Sequence, residues 1–102
     1  GTGISIDPER DEIFVANDMT SEVLVYDLHA NGDVAPKRVL AGPKTMIKAP
    51  TAVYVDVIND ELWVPMDTVK RITVYRASAN GDVAPLREIA GVFKRDRIVF
   101  QS

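Results

Sequence analysis

The chain has 102 residues, a net charge of −3, 46% apolar residues and no cysteine. That length suits one small domain. The missing cysteines exclude disulfides, thiolate metal sites and a cysteine nucleophile, and the acidic balance argues against nucleic acid, whose binding rests on basic patches.

No stretch approaches the roughly 20 apolar residues of a membrane helix, and none reads as a signal peptide. A soluble chain without membrane contact is therefore expected, its compartment left open. In chain order, the first strand is "GISID" (Gly3–Asp7), followed by "EIFVA" (Glu12–Ala16), "EVLVYDL" (Glu22–Leu28) and "KRVLA" (Lys37–Ala41). β-Branched and aromatic residues concentrate in these runs, and Gly, Pro, Asn and Asp fall between them. No window carries a helical period. The third connection contains "ANGDVAP" (Ala30–Pro36), where Asn-Gly marks a turn because glycine readily takes positive φ.

After the segment "PKTMIKAP" the same order returns: "AVYVD" (Ala52–Asp56), "ELWVP" (Glu61–Pro65), "RITVYRA" (Arg71–Ala77), a second "ANGDVAP" (Ala79–Pro85) and "LREIA" (Leu86–Ala90). Thr2–Gly42 aligns with Thr51–Gly91 at an offset of 49 without a gap, and eighteen of the 41 positions are identical. This is a duplicated structural unit. The division is residues 1–42 as the first unit, 43–50 as linker, 51–91 as the second unit and 92–102 as a divergent tail. Within the tail, "RIVFQS" (Arg97–Ser102) has two readings: a strand that clasps a blade edge, its own or a neighbour's, or an extension without a structural role.

Alternation along the strands puts apolar residues on both faces of each sheet. Val23 and Val25 oppose Leu24, Tyr26 and Leu28, and Ile13 and Val15 oppose Phe14 and Ala16. Something must cover both faces. Four-stranded meanders that repeat every 40 to 50 residues and stack face to face are propeller blades. The expected class is all-β, with two four-stranded antiparallel propeller blades.

The stretches Gly3–Asp7, Ile13–Asp18 and Glu22–Tyr26, and again Ala52–Asp56, Leu62–Asp67 and Arg71–Tyr75, resemble the NHL-type β-propeller repeat. That pattern has a "GVAVD" strand, a "VYVAD" strand and an "RVxVF" strand. The third strand opens on Glu22 in one unit and Arg71 in the other, where the family has arginine, and the "ANGDVAP" connection is longer than the family's turn. The resemblance implies a binding scaffold for a protein, peptide or small-molecule ligand, with enzymes of the lactonase or lyase kind as the alternative. Propellers close with about four to eight blades, and this chain encodes two. Three copies would give six blades, the usual NHL number, so a homotrimer is the leading expectation. Two or four copies, or a longer propeller of which this is an excerpt, are the other readings.

Candidate ligand-binding positions are Asp18 and Asp67, which recur after the second strand, and Ser5 and Tyr54 on the strand that lines a propeller's channel. A ring of carboxylates at Asp18 and Asp67 would hold a cation or a basic ligand. The same positions would serve as turn caps. Asp7/Asp56 and Asp11/Asp60 carry the capping reading more strongly. The lone histidine, His29, lacks a matching nucleophile and reads as a surface loop residue. No catalytic residue, metal site or cofactor is assigned, because the chain has no phosphate loop, zinc spacing or serine elbow.

Overall fold

A computed structural model describes residues 2–66, 68–93 and 96–101, with side chains placed throughout these except at residues 2, 92, 93, 98, 100 and 101. Among the described residues it is all-β, with a single 3₁₀ turn. The first sheet is an antiparallel meander of β1 (Thr2–Asp7), β2 (Glu12–Asn17), β3 (Glu22–Asp27) and β4 (Arg38–Leu40). The second repeats it with β5 (Tyr54–Asp56), β6 (Glu61–Met66), β7 (Arg71–Arg76) and β8 (Arg87–Phe93), and adds β9 (Ile98–Gln101) on the edge of β8.

The recurring aspartates shape the hairpins. Asp7 Oδ1 accepts the amides of Glu9 and Arg10, at 3.0 and 3.2 Å. Asp56 Oδ1 accepts those of Ile58 and Asn59, at 3.1 and 3.2 Å. Each turn then closes on an aspartate in the left-handed region, Asp11 at φ 55° and Asp60 at φ 58°. Asp and Asn tolerate that conformation better than other non-glycine residues. Gly32 and Gly81, in the two "ANGDVAP" phrases, stand at φ 79° and 80°. The phrase is therefore bent alike in both units, within the connections that span residues 28–37 and 77–86.

The ends of the fourth strands differ from the sequence expectation. β4 is only Arg38–Leu40, because Gly42 turns the backbone to φ 122° and Pro43 opens the 3₁₀ turn Pro43–Thr45. Proline has no amide to continue a ladder. At the matching point of the second unit stand Val92 and Phe93, and β8 runs straight through to Phe93. There it pairs with β9, Ala90 opposite Gln101 and Phe93 opposite Ile98. The first strand of the second unit also begins late, at Tyr54 rather than Ala52.

The two sheets stack. The core gathers Phe14, Ala16, Val23, Val25 and Leu40 from the first sheet against Leu62, Val64, Tyr75 and Ala77 from the second, with Ile47 and Val53 from the connection between them. Each sheet thus buries one face against the other, and these faces are opposite ones. In β2 the buried positions are Glu12, Phe14 and Ala16; in β6 they are Leu62, Val64 and Met66, the counterparts of Ile13, Val15 and Asn17. Side chains alternate across a strand. The parity flip therefore means that the face covered in one unit is the face left open in its repeat.

Candidate functional site at the joint between the units

The best-built site in the molecule is the joint itself. At its narrow end β1 meets the segment that leads into β5. Gly3 lies so close that a Cβ there would stand 2.5 Å from the Ala52 Cα, which only glycine permits. Beside it, the Ser5 hydroxyl accepts the Val55 amide at 3.2 Å.

At the wide end the second unit's connection, Asn80, Gly81 and Asp82, clamps the outer edge of β4. The Gly81 amide donates to the Val39 carbonyl at 2.7 Å, and the Ala41 amide returns to the Gly81 carbonyl at 3.3 Å. Asn80 Oδ1 accepts the Val39 amide at 3.2 Å. Asp82 Oδ1 accepts the amides of Lys44 and Thr45, at 2.8 and 3.3 Å. Gly42 makes room for this carboxylate, since a Cβ there would meet it at 2.3 Å. A polar edge that would otherwise recruit another strand is thereby paired.

Beneath the clamp, Arg38 grips Glu12 with both terminal nitrogens, at 2.7 and 2.8 Å, and reaches across the joint to the Ala77 carbonyl at 3.0 Å. Lys37 adds a second cation 2.9 Å from Glu12. The Arg38 guanidinium, with Lys37 in support, holds the Glu12 carboxyl down at about 2, against the opposing effect of burial. The second unit repeats the fork, Arg87 to Glu61 at 2.9 Å on both nitrogens, with Arg87 5.4 Å over the Trp63 ring as Arg38 lies 6.0 Å over Phe14. This second fork is more open to solvent than the first. Arg38 is 18% exposed and Arg87 47%; Glu12 is 4% exposed and Glu61 16%.

Deeper in the joint the buried Tyr75 hydroxyl donates to the Thr45 carbonyl and lies 2.9 Å from Thr73 Oγ1. Burial raises the phenol to about 12. Next to Tyr75 a cavity of about 230 Å³ opens among Arg76, Ser78, Ala79, Val83 and Leu86, under the second "ANGDVAP" turn.

The sequence-predicted positions fall around this joint rather than in one pocket. Ser5 is inside it, its hydroxyl used by the Val55 amide. Tyr54, one residue before Val55, is 63% exposed. Asp18 begins the β2–β3 turn, and Asp67 lies outside the described residues. His29 is on the exposed connection, 3.4 Å from Asp11. No group of three or more His, Asp or Glu side chains converges on a common point among the described residues.

Sequence reading missed two features of the joint: the docking of the "ANGD" turn on the neighbouring unit, and the Arg–Glu forks. Both had a signal. Arg38/Arg87 and Glu12/Glu61 are identical at the same spacing. The aspartate of the phrase recurs although a turn needs only the Asn-Gly pair. Comparison with known protein families, curated proteins and solved structures finds no match to the chain.

Proposed function

We propose that the chain is a self-completing β-propeller module, two blades that join with further copies into a closed ring serving as a binding scaffold. The inverse burial of the two units carries this reading. The first sheet leaves open the face bearing Ile4, Ile6, Ile13 and Val15, with Ile4 59% and Ile6 51% exposed. The second sheet covers its version of that face with Val53, Val55, Leu62 and Val64. The open faces at the two ends of a chain are thus the two halves of one joint. Joining them is head-to-tail, and rotation about a common axis closes such joints into a ring. Burying the exposed halves of Ile4 and Ile6 contributes roughly 1 kcal/mol each on transfer figures.

Three copies complete the six blades of the NHL-type pattern that the sequence resembles. The ring offers its two rims of turns and its channel strands, with Ser5 and Tyr54, to a protein, peptide or small-molecule ligand; catalysis is not part of this reading. Light scattering across a concentration series tests it. A mass near three chains is expected at high concentration, and a folded species of one chain's mass at every concentration overturns it.

A further inference from the structure

The first "ANGDVAP" turn is exposed along most of its length. Its backbone bend matches that of the second, at φ 79° and 80° for the central glycines. Yet the described contacts of Asn31, Gly32 and Asp33 include no hydrogen bond to another element, whereas Asn80 and Gly81 bond to the first unit and Asp82 to the segment that follows it. The positive φ of the glycine is what the bend itself needs. The Asn side chain does more in the second unit, where its Oδ1 accepts the edge amide of Val39.

The surface that this turn fits lies on the second sheet. β8 repeats β4 in register, since Glu88 faces Thr73 as Val39 faces Leu24. Val39 turns its amide and carbonyl outward to Asn80 and Gly81, so Glu88 turns its own outward in the same way. Among the described residues, the pairing of β9 with β8 covers Ala90 to Phe93 and does not include Glu88. Resting on the self-assembly proposed above, we infer that the Asn31–Asp33 turn of one copy seats on the β8 edge of the next. Gly32 donates to the Glu88 carbonyl, and Asn31 Oδ1 accepts the Glu88 amide. Arg87, already forked to Glu61, extends to the Leu28 carbonyl, the counterpart of Ala77. The occupant of this edge is a second copy of the chain.

The joint between chains has fewer bonds than the joint within one. Ala90, the counterpart of Ala41, is paired to Gln101 of β9. Phe93, the counterpart of Lys44, is inside β8 and pairs with Ile98, so Asp33 has no backbone cradle like that of Asp82.

Two variants of the full chain test the inference, Asn31→Ala and Asn80→Ala, read by thermal unfolding, by light scattering and by amide hydrogen exchange at Glu88. Asn31→Ala is expected to weaken association about two- to tenfold per joint, the range for one hydrogen bond, with the unfolding of the dilute chain unchanged. Asn80→Ala is expected to lower the unfolding midpoint of the dilute chain. In the parent chain the Glu88 amide gains protection as concentration rises, and in Asn31→Ala it does not. Oligomers that form equally well in Asn31→Ala, with Glu88 exchange unaltered by concentration, overturn this joint and leave the self-assembly reading standing. A parent chain that stays at one chain's mass overturns both.

Discussion

Glu12 and Glu61 are the same residue in the same fork, and their surroundings set them apart. Glu12 is buried with two cations, and its carboxyl sits near 2 in place of the ordinary 4.5. A carboxyl depressed in the folded state contributes stability that is full above its unfolded value and is lost as pH falls through the folded one. Acid unfolding is therefore expected to draw on Glu12 between about pH 4.5 and 2, by on the order of 3 kcal/mol. Glu12→Gln should flatten that limb of the stability curve, whereas Glu61→Gln should leave the dilute chain's curve nearly unchanged; circular dichroism melts across pH read both. Tyr75 and Tyr26 form a second such pair. Removing the Tyr75 hydroxyl strands the buried Thr45 carbonyl. Tyr75→Phe is expected to cost about 1–3 kcal/mol in urea titration, and Tyr26→Phe, at a half-buried position without such a bond, only a few tenths.

At the level of elements, the duplicated connection is the informative one. Asp82→Ala frees the Lys44 amide and removes one of the two acceptors of the Thr45 amide, which keeps the Gly42 carbonyl, and should destabilise the dilute chain by about 1 kcal/mol in urea titration. Asp33→Ala should leave it unmoved. The strands and their order were readable from the sequence, because β-branched runs, Asp-closed turns and an ungapped repeat all agree. The ends of β4 and β8 were not. Where a strand stops depends on Gly42 making way for Asp82, far along the chain, and on the partner that Val92 and Phe93 find in β9. These are tertiary facts with no local period. The aspartates were legible as turn makers at Asp7 and Asp56, while Ser5 turned out to brace the neighbouring strand, a role set by which element lies alongside.

For the molecule as a whole, the flip in buried parity between β2 and β6 makes the open faces of a chain unlike each other. Sequence alternation showed that both faces of each sheet were apolar, yet could not tell which one the neighbour takes, because that depends on the direction in which units stack. A charge on the open face of the first sheet is a direct check. Ile4→Glu should leave the unfolding of the dilute chain within about 0.5 kcal/mol and abolish any species heavier than one chain in light scattering.

The close approach at Gly3 has one more consequence. Its counterpart in the second unit is Ala52, which puts a methyl group where Gly3 has none. In the ring proposed above, seams between chains would therefore draw in at the axis less far than the seam within a chain, so that tight seams would alternate with slack ones and the symmetry would be threefold rather than sixfold. Such a ring would come apart at its slack seams, shedding whole two-bladed wedges, and would trade them with other rings without unfolding a blade.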